Sequence, residues 1–176
     1  MSHQFGDLNI AVLLPCYNEG AAIAQVVLDF RRYLPGTRIY VYDNNSSDNT
    51  SEQAARAGAT VVPSRRQGKG NVVRQMFADI DADIYIMADG DGTYDASAAP
   101  MLIQTLLDDR VDMVVGTRND VTKDAGRKGH AFGNNLFNKV YQAIFGNDFT
   151  DIFSGYRIFS RRFIRSFPMM SRRRNS

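Results

Sequence analysis

Short runs of apolar residues alternate with amphipathic segments along most of the chain. Residues 9–15, "NIAVLLP", are almost wholly apolar and predict a strand buried on both faces. Residues 20–34 place Ile23, Val26, Val27 and Phe30 at helical spacing. The same alternation continues with a strand over 38–43, a helix over 47–58 that closes on Gly58, and a short strand over 59–63. A helix over 70–80, a strand over 82–89, a helix over 99–109 and a strand over 111–118 complete it. This β-α-β-α order predicts one α/β domain, a mostly parallel central sheet flanked by helices.

The polar residues are as regularly placed as the apolar ones. Four expected strands run into polar clusters: "PCYNEG" at 15–20, "DNNSSDNT" at 43–50, "DGDGTYD" at 89–95 and "GTRND" at 116–120. Ligands of open α/β sheets bind beyond the carboxyl ends of the strands, so the four clusters together predict one crevice.

Composition adds bounds. At 176 residues, with 44% hydrophobic and 23% charged residues, the chain has the size and make-up of a soluble globular domain. It has neither an apolar run long enough to span a bilayer nor a signal-like start, and Cys16 is its one cysteine. A cytoplasmic setting is expected. The net charge of +2 conceals an uneven distribution: residues 118–176 hold 12 Lys+Arg against 4 Asp+Glu, and residues 1–117 hold 9 against 15. The basic half suits phosphate, an anionic membrane face or simply solvent. No nucleic-acid reading module accompanies it, so nucleic acid is not an expected partner.

Asp89 and Asp91 pose the sharpest chemical question. Two carboxylates about 4 Å apart repel by about 4 kcal/mol at a surface-like dielectric. A bound divalent cation offsets that repulsion, and two separately solvated loop aspartates avoid it. Hard carboxylate oxygens suit Mg²⁺ or Mn²⁺, with water and substrate phosphates filling the remaining positions. His3 and His130 are isolated, which disfavours zinc, and Cys16 reads as a packing residue. Asp43 and Asn44 are candidates for the polar edges of a base or ribose, while Ser47 or Asp48 is expected to cap the following helix. The glycine loop "QGKGN", residues 67–71, opens a helix and offers backbone N–H groups to phosphate, although it has neither the Rossmann nor the Walker spacing.

Taken in order, "LLPCYNEG", "VYDNNSSDNT", "GKGNVVRQMF", "MADGDGTYD", "VVGTR" and "TDIFSGYRIFSRRF" resemble the family 2 glycosyltransferases. They are most similar to the polyprenyl-phosphate sugar transferases, the group of the dolichyl-phosphate mannose synthases. The resemblance spans roughly residues 8 to 167. It implies a GT-A fold, a nucleotide-diphosphate sugar donor, Mg²⁺ or Mn²⁺, and inverting transfer to a dolichyl- or undecaprenyl-type phosphate. Pro15, Tyr17, Asn18 and Glu19 then match the first nucleotide-contacting loop. Asp43 matches the base- or ribose-binding aspartate, with Asn45 and Ser46 beside it, and Lys69 and Gly70 match the loop next to the nucleotide. Asp89, Gly90 and Asp91 match the D-x-D element, in which both aspartates are metal-ligand candidates and the second is the surer. Arg118 is expected near phosphate. Asp151, Ser154, Gly155 and Arg157 match an acceptor-side element.

A polyprenyl phosphate needs cations, which Arg118, Arg127, Lys128 and Arg157 supply in this reading. A saccharide hydroxyl would instead need a general base, for which Asp151 is the candidate. Residues 130–146 carry Phe132, Leu136, Phe137, Val140, Tyr141, Ile144 and Phe145 as an apolar helical stripe behind the basic "GRKGH". Such a stripe suits a core face or a membrane interface, and the resemblance favours peripheral contact with an anionic cytoplasmic membrane face. Relatives continue beyond the point where this chain turns to "MMSRRRNS". Residues 1–167 therefore read as a catalytic domain incomplete on its C-terminal side, and 168–176 as a disordered basic tail. A truncated, non-catalytic nucleotide-sugar-binding remnant is the alternative from another class.

Overall fold

The computed structural model describes residues 5–116 and 155–166. The first strand, β1 (Ile10–Cys16), is followed by α1 (Ile23–Tyr33), β2 (Arg38–Asp43), α2 (Thr50–Arg56), β3 (Thr60–Pro63) and α3 (Lys69–Asp79). Then come β4 (Ile84–Met87), a 3-10 turn (Ala96–Ala98), α4 (Ala99–Asp108) and β5 (Met113–Gly116). The later described segment supplies β6 (Tyr156–Ser160) and a short helix, α5 (Arg161–Ser166).

The described strands form one sheet in the order β3-β2-β1-β4-β6-β5. β1, β2, β3 and β4 are parallel neighbours, with Leu13 opposite both Tyr40 and Met87. β6 runs antiparallel between β4 and β5, so β5 points the same way as β4. The five strands read from the sequence are present, and the sheet is mostly parallel as expected. β6 was not among those expectations. It runs against the parallel order that the alternation predicts, and its pairing with β4 joins segments some seventy residues apart.

β1 shows why the apolar runs are unbroken. Val12, Leu14 and Cys16 pack on one face of the sheet with Ile23, Val26, Val27 and Phe30 of α1, and with Leu102, Ile103 and Leu106 of α4. Ala11 and Leu13 face the other way, toward Val72, Val73, Met76 and Phe77 of α3 and Phe163 and Ile164 of α5. A strand covered on both sides can carry apolar residues at every position. The helical positions expected to face the core from α1 are those that do. No described helix is long and apolar enough to cross a membrane.

β2 and β3 lie to one side of β1, and β4 lies to the other. The chain reverses its direction of winding between β1 and β4, and such a switch point is where open α/β sheets leave room for a ligand beyond the carboxyl ends. At the opposite edge, Asp112 and the α5 arginines fasten β6. Arg162 donates to both carboxylate oxygens of Asp112, at 2.9 and 2.7 Å. Arg161 donates to the Ala82 carbonyl at 2.8 Å and lies 3.5 Å from Asp83.

Candidate active site

Three loops above the switch point are bonded to one another. Asn18, at φ 55°, donates its backbone N–H to the Ser46 hydroxyl at 2.9 Å and accepts the Ser47 N–H at 2.8 Å. The Glu19 N–H reaches the Thr50 hydroxyl at 2.8 Å, and the Gly20 N–H reaches Asp48 at 2.9 Å. Hydrogen bonds from the Thr50 hydroxyl and from Gly20 hold the Asp48 carboxyl below its ordinary range. These contacts join the loop after β1 to the loop after β2. Asn49, rather than Ser47 or Asp48, occupies the N-cap position of α2, and its side chain makes no capping bond.

Asn44 joins the next pair. It is buried, and its amide donates to the Ser64 and Arg66 carbonyls, each at 2.8 Å, while its oxygen accepts the Gly68 N–H at 2.8 Å. Its polar atoms are thus committed to the protein, and Asn44 is a loop anchor rather than a reader of a base edge. Asn45, at φ 64°, extends the same join to Arg65 and Gln67. Asp43 stays at the rim, accepting the Ser46 N–H at 2.9 Å and the Ser51 hydroxyl. Asparagine is the ordinary non-glycine choice where a short polar side chain must hold a left-handed backbone.

The loop after β4 completes the rim. Asp89 pairs with Lys69, the first residue of α3, and both side chains are about one-third exposed or less. Asp91 accepts the Thr93 N–H at 2.9 Å and the Thr93 hydroxyl at 2.7 Å. Between them, Gly90 presses against β1: a Cβ there would lie 2.4 Å from the Cys16 sulfur. Burial, and then the charges of Asp91, Asp89 and Asp48, push the Glu19 carboxyl upward, with Lys69 partly opposing them. Burial chiefly, aided by Glu19, Asp43, Asp89 and Asp91, drives the Cys16 thiol far up, which leaves it an inert packing group.

Pro15, Tyr17, Asn18, Glu19, Asp43, Asn45, Ser46, Lys69, Gly70, Asp89, Gly90 and Asp91 therefore occupy one edge of the sheet. Tyr17 is half exposed. Arg157 stands opposite Met87 in β6, two residues before Asp89, and so reaches this edge from the antiparallel strand. Arg118, Arg127, Lys128, Asp151 and Ser154 lie outside the described residues, as do the stripe of 130–146 and the tail of 168–176. Thr50, Asp48 and Thr93 were not among the expected site residues. Their only signal is that each is a short polar residue two or three positions from another, in a strand-end loop. A separate hollow at the far edge, between Phe5–Ile10 and Leu34–Arg38, gathers no comparable set of acids and bases.

Glu19, Asp89 and Asp91 give the crevice an excess of negative charge, set against Lys69. Among the described residues, no three acids, histidines or cysteines converge as a self-sufficient metal cage. The donor set fits a hard cation held by one or two carboxylates and completed by substrate phosphate, which is the usual manner for Mg²⁺.

The model of Glycosyl transferase family 2 matches residues 11–167. The chain belongs to that family. It is 55% identical over 131 residues to Protein RfbJ of Shigella flexneri, an alignment covering 74% of this chain and 99% of that one. Glycosyltransferase AglJ of Haloferax volcanii is 40% identical over 154 residues, covering 86% of this chain and 50% of AglJ. The dolichyl-phosphate hexose transferase of the same archaeon is 29% identical over 162 residues, 92% of this chain and 70% of that protein. In three dimensions the fold matches glucosyl-3-phosphoglycerate synthase of Mycobacterium tuberculosis in complex with Mn²⁺, UDP and glucosyl-3-phosphoglycerate. There the TM-score is 0.61 at 23% identity, over 89% of this chain and 58% of the synthase. The glycosyltransferase chain thus has a GT-A fold, and it spans about half the length of some relatives and nearly all of another.

Proposed function

We propose that this family 2 chain transfers a sugar from a nucleoside-diphosphate donor to a polyprenyl phosphate, with Mg²⁺ or Mn²⁺ bound. The observation that carries the proposal is the convergence of Asp43, Glu19, Lys69, Asp89 and Asp91 on the switch-point crevice. Asp43 and the loop of Tyr17–Glu19 suit the nucleoside, and Lys69 suits the diphosphate. Asp91, with Asp89, would hold the cation. When bound, that cation would supply electrostatic stabilisation of the diphosphate as it departs.

An acceptor phosphate oxygen attacks the anomeric carbon from the face opposite the donor diphosphate. The carbon–oxygen bond to the diphosphate breaks, and its electron pair leaves with that group, so configuration inverts. No proton need be removed from an ionised phosphate acceptor. The similarity to a protein named for a dolichyl-phosphate acceptor supports the lipid assignment, and so does the net +8 of residues 118–176. Arg157 lies on the described rim where it can meet the acceptor. Arg118, Arg127, Lys128 and Ser154 belong to the acceptor side of the same proposal, with peripheral contact at an anionic cytoplasmic membrane face.

Calorimetric titration of UDP and GDP, with and without Mn²⁺, into wild type and Asp91→Asn tests the donor half. Binding is expected to require the metal and to fall at least roughly tenfold in the variant, the loss of one charged ligand contact. Equal binding by Asp91→Asn would remove the metal role assigned here. Incubation with labelled donor and polyprenyl phosphate tests the acceptor, and label appearing on a saccharide hydroxyl instead would overturn that part.

A further inference from the structure

Lys69 is electrostatically out of place unless an anion faces it. It is the first residue of α3, where the helix dipole disfavours a cation, and the first turn contains no acid. The anion it meets is Asp89, one of the two carboxylates assigned to the cation. The loop that carries Lys69 is fixed by Asn44, which accepts the Gly68 N–H at 2.8 Å and donates to the Arg66 carbonyl at 2.8 Å. The side chain of Lys69, and not its backbone, is therefore the part free to exchange partners. Beside it, nothing beyond Gly70's chain neighbours and the backbone of α3 itself lies within 4 Å of where its Cβ would sit, which leaves the start of α3 open to an approaching ligand.

We propose that Lys69 competes with the divalent cation for Asp89, and that a nucleoside diphosphate ends the competition by drawing Lys69 onto its phosphates. This rests on the donor-site reading above and adds an order to it. A cation arriving alone meets a carboxylate already neutralised by an ammonium, with that positive charge still nearby. A cation arriving with diphosphate brings Lys69 another anion at the helix start. Lys69 thereby suppresses binding of free metal and favours the metal–nucleotide pair.

The test is titration of Mn²⁺ alone, UDP or GDP alone, and both together, into wild type, Lys69→Met and Lys69→Arg. Mn²⁺ binding alone can be followed by the loss of its free-ion paramagnetic signal, independently of turnover. Removal of a neighbouring positive charge is expected to tighten Mn²⁺ binding alone by roughly tenfold in Lys69→Met. The same variant is expected to weaken the nucleotide measured with Mn²⁺ present. Lys69→Arg, which keeps the charge, should stay near wild type for Mn²⁺ alone, so a mere packing effect at position 69 is separated from the charge effect. Unchanged or weaker Mn²⁺ binding in Lys69→Met, with wild type still binding metal and nucleotide together, overturns the competition and leaves the donor site intact. Absence of metal-dependent nucleotide binding in wild type overturns both.

Discussion

At the scale of single residues, the Gly90–Cys16 contact shows how close packing positions the acidic loop. Gly90 lets the backbone between Asp89 and Asp91 lie directly on the sulfur of Cys16. A methyl group there would meet Cys16 Sγ at 2.4 Å and the Ile23 Cδ1 at 3.3 Å, and both residues are buried. Gly90→Ala should therefore cost about 1–3 kcal/mol, measured by urea unfolding. Adding Cys16→Ala removes the obstructing sulfur, so the double variant should lose less than the sum of the single losses, by about 1 kcal/mol. Strict additivity would show that the loop relieves the clash without involving Cys16. Nothing in the sequence warned of this contact: Gly90 reads only as the middle of the D-x-D element, and nothing local reports what it packs against. Asn44 is similar. Its type and position mark a polar strand end, but only the fold reveals that all of its amide is used in holding the 64–68 loop.

At the scale of elements, β6 and α5 depend on a polar fastening at the edge away from the crevice. Asp112 accepts from both Arg162 and Ser160, and Arg161 reaches Ala82 and Asp83. Burial pushes the Asp112 carboxyl upward, but the hydrogen bonds from Arg162 and Ser160 outweigh it and hold the group below its ordinary range. A folded-state pKa below the unfolded one contributes stability at pH values above about 4, and that contribution disappears as pH falls through the folded value. Unfolding midpoints in urea should accordingly fall more steeply below about pH 4 in wild type than in Asp112→Asn. Parallel curves would mean that the bidentate pair adds nothing to the closure of β6. Helices α1, α3 and α4 were legible because each repeats its own period over several residues, and strands β1 to β5 because each is a short, mostly apolar run that ends in polar residues. The place of β6 was not, since its pairing is decided by partners distant in sequence rather than by any pattern within it.

At the scale of the whole molecule, the order of polar strand ends along the chain foretold that their loops gather at one edge of the sheet. The contacts that make it one site were only partly foretold: a lysine and an aspartate twenty residues apart pair because α3 packs on the sheet face shared by β1 and β4. β5 has a sheet partner only in β6 among the described strands, and β4 pairs with β6 on the side away from β1. A chain ended after Gly116 should thus keep the parallel half but lose cooperative melting by circular dichroism, with β4 and β5 left as unpaired edges. A single sharp transition near that of the full chain would show that β1 to β4 suffice.

That strand order also imposes a schedule on synthesis. The ribosome delivers β1 to β4 early, in an order that lets each find a neighbour already made. β5 then emerges with its seat still unbuilt, and it must wait until the far later β6 has threaded between it and β4. During that interval, among the described strands, the bare edge of β4 and an unpaired β5 coexist near the growing end of one nascent chain, the stage at which association with another unfinished chain competes most directly with folding.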